Sequence, residues 1–295
     1  IPVGFSIGIS ATAFLVFSDG IPISIVIQKM VDGVNSFSYL ALPLFVLSGA
    51  IMVFGATPRL MRFANMLLGR MPGGLGCAAS LGCGFFGAIS GSGVATTASI
   101  GAIMAPEMVK QGYDKGFTAS LIAAAGTLGL VIPPSVCMVV YAQNAGCSIG
   151  NMFMAGFVPG FLAVGALCVL SAYMAIRRKW KGETMKVTSA KEAIRICLEA
   201  LLPMMMPVII LGGVLSGVFT PTESATVATM YAFMLAKFVY REMSWKQFYN
   251  TLIDSAKASA AILFIIAASA PFGWVLTLEN MAAKLTTFVT SVISS

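Results

Sequence analysis

A proline pair inside an apolar stretch frees backbone carbonyl groups that could bind a cation. Residues 126–138 read GTLGLVIPPSVCM, and neither Pro133 nor Pro134 has a backbone N–H. The carbonyls of Gly129 and Leu130, one helical turn earlier, therefore lose their helical hydrogen-bond partners. In an apolar environment such groups persist only where protein, water or an ion satisfies them. The stretch thus predicts a broken helix that lines a binding site.

A second segment adds hydroxyl groups that suit a hard cation. Residues 88–97 read AISGSGVATT, with hydroxyls at Ser90 and Ser92. Sodium is a hard cation, so hydroxyls and freed carbonyls can hold it without a carboxylate. New helices begin after the two breaks, at 93–96 and 135–136, and their free N–H groups attract an anion. Together the segments predict a sodium site beside a carboxylate site.

The composition is that of an integral membrane protein. Of the 295 residues, 58% are hydrophobic and 10% are charged, and the mean hydropathy is +0.92. Soluble chains are about 45–50% apolar and about 25% charged. The sequence has no His, and its six Cys form no CxxC pair, which argues against a zinc site or a disulfide framework. We expect no enzyme activity, no cofactor besides a coupling sodium ion and, despite the net charge of +7, no nucleic-acid partner.

Hydrophobic stretches of about 20 residues predict an all-α protein that crosses the membrane several times. The stretch at 117–147 is the one that the proline pair breaks. The segments at 21–37 and from 279 onward read as amphipathic interfacial helices. The other spans lie at 1–18, 40–57, 153–176, 200–218, 221–240 and 258–277.

The uncharged segment 71–106 reads as a re-entrant helical hairpin. Under the positive-inside rule, the linker at 177–195, with seven Lys and Arg, is cytoplasmic. If the hairpin enters and leaves on that side, with its tip at 90–92, sixteen of the 18 Lys and Arg lie inside. The alternative is that the segment crosses the membrane once. In that case Arg59, Arg62 and Arg70 would lie outside, and the excess of Lys and Arg on the cytoplasmic side would be smaller.

Two weak internal matches predict an inverted repeat. Residues 1–10, IPVGFSIGIS, align with 220–229, TPTESATVAT, and residues 45–55 align with 264–273, at an offset of about 219. In the charge-based topology the two copies begin on opposite sides of the membrane, as in many secondary transporters. The offset places the counterparts of the hairpin and the broken helix beyond residue 295, so we expect this sequence to lack the second hairpin.

These elements divide the chain into five predicted regions. The hairpin at 71–109, the broken helix at 117–147 and the span at 153–176 together form one part of a transport domain. The regions are scaffold and arm helices of the first repeat at 1–70, the transport part at 71–176, a cytoplasmic basic linker at 177–199, scaffold and arm of the second repeat at 200–257, and the start of the second transport half at 258–295.

Three segments resemble the large membrane subunit of TRAP transporters, the tripartite ATP-independent periplasmic family within the ion-transporter superfamily. They are GAISGSGVATTASIGAIMAPEMVKQGYDKGFTASLIAAAGTLGLVIPPSVCMVVYA at 87–142, FMAGFVPG at 153–160 and GVFTPTESATVATMYAF at 217–233. The likeness runs over essentially the whole sequence. It implies a sodium-driven importer of the elevator type, a multi-pass protein of a bacterial inner membrane.

The resemblance also implies partners and a substrate class. A soluble periplasmic substrate-binding protein would deliver a small organic anion, and a small four-helix membrane subunit would support the large one in the lipid bilayer. Which anion is carried, and whether the small subunit is separate or fused, stays open. A related self-sufficient sodium/carboxylate carrier is the main alternative. An ion channel would explain the re-entrant segment, but it would more naturally show a filter-like or charged ring and symmetric oligomers. A membrane enzyme has few candidate residues here, because the sequence has no His and no acidic pair within a span.

Functional residues are carried over only where this sequence matches the family motifs. The resemblance places a sodium site between the hairpin tip and the broken helix, at Ser90, Gly91, Ser92, Gly129, Val131 and Pro134. The residues expected to face the substrate are Gly93, Thr96 and Ser135. Both segments also have a structural interpretation. Small residues let membrane helices pack closely. Neighbouring groups often form hydrogen bonds with the backbone groups that a proline kink leaves unpaired.

Overall fold

The structure is a computed structural model that describes residues 2–18, 22–180 and 189–293. Every secondary-structure element in these ranges is helical, which confirms the all-α prediction. The middle of the predicted basic linker, residues 181–188, lies outside the described residues.

Fourteen α-helices follow one another along the described part of the chain. A 3₁₀ turn, Phe37–Leu40, precedes the third helix, and a π-helical stretch, Leu235–Val239, follows the twelfth. The helices are α1 (Val3–Val16), α2 (Ser24–Val34), α3 (Ala41–Met52), α4 (Ala56–Leu68), α5 (Gly74–Ser90), α6 (Gly93–Lys110), α7 (Lys115–Gly126), α8 (Leu128–Val131), α9 (Val136–Ala145), α10 (Ile149–Arg178), α11 (Ala190–Leu215), α12 (Pro221–Met234), α13 (Trp245–Leu278) and α14 (Met281–Ile293).

Several of these helices can cross a membrane by their length and composition. Among the described residues, α10, α11 and α13 are each long and apolar enough to do so alone. A bent group of helices adds a further candidate: α7 and α8 with α9, bent by 45°. The chain is therefore a multi-pass membrane protein, as predicted.

The chain divides into two compact units, Leu40–Ser255 and the combination of Ile1–Tyr39 with Ala256–Ser295. In the second of these, α1 packs on the C-terminal half of α13, where the ring centroids of Phe5 and Phe264 lie 4.8 Å apart. A small buried apolar cluster completes the packing of that unit, and its members are Leu15, Val26 and Val275.

The unit Leu40–Ser255 contains the predicted hairpin, formed by α5 and α6. The two helices run antiparallel, since a Cβ on Gly82 would lie 4.0 Å from Cδ1 of Ile100, and these residues are equally far from Gly91. Large side chains are completely buried in this unit, among them Phe86, Met104 and Phe153. α5 thus lies inside the packed core of the unit, whereas α6 buries one face, formed by Thr96, Ile100, Met104 and Met108.

Both ends of the hairpin lie against the same end of α10. Before α5, the carbonyl of Gly73 accepts a 3.1 Å hydrogen bond from the hydroxyl of Ser171. After α6, the ring of Tyr113 stacks on Trp180, with centroids 4.7 Å apart. The chain therefore folds back on itself between these points, so the hairpin is confirmed and a single crossing is excluded.

The predicted span at 40–57 consists of two helices. α3 ends at Met52, and Gly55, with a φ of +90°, turns the chain into α4. The aromatic ring of Tyr240 lies over the guanidinium of Arg59 at 3.9 Å, so α4 begins beside the end of the π-helical stretch.

The helices α11 and α13 begin earlier than the predicted spans at 200–218 and 258–277. Ser189 caps the first turn of α11 through its hydroxyl. At the start of α13, Ser244 and Gln247 each accept a hydrogen bond from the other's N–H. Such capping stabilises polar first turns that a search for hydrophobic stretches does not detect.

Candidate functional site

The hairpin turns at Gly91 and Ser92. Gly91 has a φ of +60°, in the left-handed region that favours glycine, and its N–H donates a 2.8 Å hydrogen bond to the carbonyl of Gly87. Ser92 is extended, and its hydroxyl accepts a 3.4 Å hydrogen bond from the N–H of Ala95. The tip therefore brings the C-terminal end of α5 and the N-terminal end of α6 together.

Three oxygen atoms meet inside the tip. The hydroxyls of Ser90 and Thr96 lie 3.0 Å apart. The carbonyl oxygen of Ser92 is 3.3 Å from the Ser90 hydroxyl and 2.7 Å from the Thr96 hydroxyl. Ser90 and Thr96 are only 3% and 0% exposed, so the hydroxyls of these two residues are buried from water.

The break between α8 and α9 packs directly on the tip. The backbone is extended at Ile132 and Ser135. The N–H of Val136 donates a 3.4 Å hydrogen bond to the carbonyl of Gly91. A Cβ on Gly91 would lie 3.2 Å from the carbonyl oxygen of Pro134. The predicted helix break is confirmed, and it meets the hairpin tip through backbone atoms.

Gly129 brings the broken helix against the tip oxygens. A Cβ at this position would lie 2.7 Å from Oγ1 of Thr96 and 2.8 Å from the carbonyl oxygen of Ser92. Real Cβ atoms do not approach other atoms so closely, so this contact requires glycine. Because Pro133 has no N–H, the carbonyl of Gly129 is also available to a ligand.

The hydroxyl of Ser135 is buried without a hydrogen-bond partner. The residue is 2% exposed and occupies the N-cap position of α9, yet among the described residues its Oγ has neither donor nor acceptor. Buried hydroxyls are normally paired, and an unpaired one costs about 1–3 kcal/mol. A ligand at this position would restore the missing hydrogen bond.

Two of the predicted site residues lie at the edge of this cluster. The carbonyl oxygen of Val131 lies against Gly156 of α10, 2.6 Å from where a Cβ on that glycine would be. Gly93 lies beside the carbonyl of Gly126 and the side chain of Leu130. The sodium and substrate roles assigned to these two residues, like those of all the other site residues, stay predictions. The residues that the structure does bring together are Ser90, Gly91, Ser92, Thr96, Gly129, Pro134 and Ser135.

An open cavity of about 510 Å³ lies against the first turn of α6. Its wall includes Ser92 and Gly93, and also Thr97 and Thr127, which the sequence analysis missed. Thr97 follows Gly93 by one helical turn and Thr127 precedes Gly129 by two residues, a spacing that could have indicated both. Each threonine donates its hydroxyl hydrogen to a carbonyl of the preceding helical turn, at 2.9 and 2.7 Å, and so keeps an acceptor site on its oxygen.

The cluster contains no ionisable side chain, because its members are serine, threonine, glycine and proline. It can therefore coordinate a cation through neutral oxygens and an anion through N–H and O–H groups. It offers no general acid or base for catalysis.

Comparison with known proteins gives a single family. Residues 1–295 match the family described as "Tripartite ATP-independent periplasmic transporter, DctM component". The chain is 39% identical over 286 residues to the isethionate TRAP transporter permease protein DctMQ of Oleidesulfovibrio alaskensis, covering 97% of the chain and 45% of that relative.

Two further relatives illustrate the range of the similarity. The C4-dicarboxylate TRAP transporter large permease protein DctM of Pseudomonas aeruginosa is 41% identical over 289 residues, which is 97% of the chain and 67% of the relative. The sialic acid TRAP transporter large permease protein SiaM of Vibrio cholerae is 34% identical over 292 residues, 99% of the chain and 68% of the relative. The chain thus spans from just under half to about two thirds of the length of these relatives.

Proposed function

The chain belongs to the DctM component family of tripartite ATP-independent periplasmic (TRAP) transporters, and from this premise we propose that it is the large permease subunit of a sodium-coupled importer of a small organic anion. The observation that carries the proposal is the meeting of the hairpin tip with the broken helix. There the oxygens of Ser92 and Thr96, both within hydrogen-bond distance of the Ser90 hydroxyl, lie against Gly129 without a charged side chain. Membership of a transporter family favours transport over the enzyme and channel alternatives.

Sodium is proposed to bind between the tip and the break. The donors there are hydroxyl and carbonyl oxygens, which suit a hard cation of single charge. The hydroxyls of Ser90 and Thr96 can rotate their hydrogens away from a bound ion and so present lone pairs to it. Because the cluster has no group that titrates near neutral pH, it favours coupling to sodium over coupling to protons.

The organic anion is proposed to bind at the N-terminal ends of α6 and α9. These ends carry the positive ends of the helix dipoles, which attract an anion. The cavity beside Thr97 and Thr127 gives room for the substrate, and the unpaired hydroxyl of Ser135 supplies a donor. The substrates named for the relatives, isethionate, C4-dicarboxylates and sialic acid, are all organic anions.

The pairing of helices within the two units supports the predicted inverted repeat. In one unit, α12 packs on α3, where the hydroxyl of Thr229 donates a 3.0 Å hydrogen bond to the carbonyl of Leu44. In the other, α1 packs on the part of α13 that aligns with α3, through Phe5 and Phe264. The first helix of each copy thus packs on the helix of the other copy that contains the second internal match. We propose that the hairpin and the broken helix move together as the carrier of an elevator mechanism.

The proposed setting is a bacterial inner membrane with two protein partners. The family description names a tripartite periplasmic system, which requires two components besides the large permease. We propose that these two components are a small four-helix membrane subunit and a periplasmic substrate-binding protein. In the relative whose name ends in DctMQ the permease is described as one protein, so a fused small subunit belongs among the forms to be tested.

Uptake by proteoliposomes tests the proposed function. The permease is reconstituted with its small subunit, and labelled C4-dicarboxylate, sialic acid or isethionate is supplied on the binding protein under an inward sodium gradient. Uptake that falls to background when choline replaces sodium supports the proposal, and equal uptake in choline contradicts the sodium coupling. Full uptake without the binding protein would support the self-sufficient carrier instead.

A further inference from the structure

We propose that an apolar cavity behind the Pro-Pro break binds one acyl chain of a bilayer lipid. The cavity has a volume of about 260 Å³ and lies between α5, the break, α10 and α11. It is separate from the threonine-lined cavity beside the tip, with which it shares no residue. Its wall includes Phe85 of α5, Pro133 of the break and Phe157 of α10.

Water is a poor occupant for this cavity. All of its thirteen lining residues are apolar, so no lining side chain can donate or accept a strong hydrogen bond. Apolar cavities of this kind stay dry or take up apolar ligands. A hydrocarbon chain gains contact with the lining without desolvating any polar group, so the chemistry of the wall selects an apolar occupant.

The mouth of the cavity lies between two helices that can cross a membrane. Phe161 of α10 and Val208 of α11 line the cavity and are 62% and 56% exposed. They lie on two helices that are each long and apolar enough to cross a membrane. Hydrocarbon is the solvent along such helices, so the cavity is continuous with the acyl-chain region of the bilayer.

The size of the cavity selects a single acyl chain over a helix of another protein. A helix with its side chains is about 10–12 Å across, which is too wide to enter a space of this volume. An acyl chain inserted here would contact Ile132 and Pro133. The next residue, Pro134, directs its carbonyl toward Gly91 of the tip. The lipid would therefore contact the break one residue before the carbonyl that meets the hairpin tip.

Photo-crosslinking tests this assignment. The permease is placed in nanodiscs with phosphatidylethanolamine that carries a diazirine midway along one acyl chain, and adducts are mapped by mass spectrometry after irradiation. We expect adducts on Leu81 and Phe85, which are half-buried residues of the cavity wall. Val208→Trp should abolish them by filling the mouth. Leu201→Trp is the matched control, because Leu201 lies two turns earlier on α11, is 52% exposed and is not part of the wall.

Three outcomes would overturn the proposal. The first is labelling confined to outward residues such as Phe161, with none on Leu81 or Phe85. The second is labelling of Leu81 and Phe85 that persists in both Val208→Trp and Ala88→Leu, a second variant that narrows the cavity from α5. Loss of the adducts when the small subunit is added would show that a protein side chain fills the cavity, which also contradicts it. Because the readout is an adduct and not uptake, the result is independent of the proposed sodium coupling.

Discussion

The backbones of Gly87 in α5 and Gly129 in α8 are in direct contact, and a Cβ on Gly87 would lie 2.7 Å from the Cα of Gly129. On its other side, Gly129 meets the carbonyl of Ser92 and the hydroxyl of Thr96. The broken helix is thus held between the two arms of the hairpin with no side chain to separate them. The position of the freed carbonyls relative to the tip oxygens depends on this contact.

Gly129→Ala is expected to weaken sodium coupling. The added methyl group pushes the break away from the tip oxygens, and overpacking of this kind costs about 1–3 kcal/mol. Because that cost falls on the ion-bound state, the sodium concentration for half-maximal uptake rises by about five- to 150-fold. Sodium titration of uptake in proteoliposomes measures it. Gly165→Ala in α10 is the control, because a Cβ there has no neighbour within 4 Å. A titration curve equal to that of the wild type would refute the role of this contact.

Ser90→Ala removes one of the three oxygens inside the tip. Loss of one ligand of this kind costs about 0.5–1.5 kcal/mol, so the half-saturating sodium concentration should rise by about three- to tenfold. Ser80→Ala is a matched control, because Ser80 lies in the same helix, is 0% exposed and hydrogen-bonds to the carbonyl of Gly76 at 2.9 Å. If both variants raised the half-saturating sodium concentration by the same factor, the effect would come from the packing of α5.

The variant Ser135→Ala tests whether the hydroxyl of Ser135 binds the substrate or stabilises the fold. Because the hydroxyl has no partner in the protein, its removal should leave thermal stability unchanged or raised. The KM for the organic anion should rise at saturating sodium. Ser224→Ala is the control, because Ser224 is also buried with an unpaired hydroxyl but lies in α12. If Ser135→Ala lowered the melting temperature and left the KM unchanged, the proposed contact with substrate would be wrong.

Thr97→Val and Thr127→Val test the cavity beside the tip. Valine keeps the shape of threonine and removes the acceptor oxygen, so we expect a higher KM for the anion with little change in the sodium titration. Both effects are read from the same uptake assay. Thr226→Val is the control, because its hydroxyl makes the same type of bond to its own helix, 2.9 Å to the carbonyl of Thr222, away from the cavity. If the sodium affinity changed and the KM for the anion did not, these threonines would act on sodium binding and the proposed contact with the anion would be wrong.

The two ends of the hairpin should be accessible from the same side of the membrane. In a variant that lacks the native cysteines, single cysteines replace Arg70, Lys115 or Arg178, all of which are exposed. An impermeant maleimide should label the three from the cytoplasmic side, because both hairpin ends lie against the end of α10 that carries Arg178. A cysteine at Val218, in the turn between α11 and α12, should react from the opposite side. Labelling of positions 70 and 115 from different sides would contradict the hairpin.

The sequence alone determined the features that depend on covalent chemistry and composition. The helix had to break at Pro133 and Pro134, because neither residue has an N–H to donate. The apolar stretches of about 20 residues indicated a helical membrane protein, because a helix of that length crosses the bilayer with its own backbone groups paired. The asymmetry of charge indicated a hairpin whose tip lies at Gly91, and the structure places the left-handed turn there.

The tertiary structure alone decided which of these oxygens meet. Val131 and Gly129 are close in sequence, but the carbonyl of one lies against α10 while the other packs between the arms of the hairpin. The unpaired hydroxyl of Ser135 and the cavity beside Thr127 likewise arise from contacts between segments that are distant in sequence. Such contacts depend on how close two backbones can approach, and that distance is set by glycines on both helices together, which no local pattern on one helix reveals.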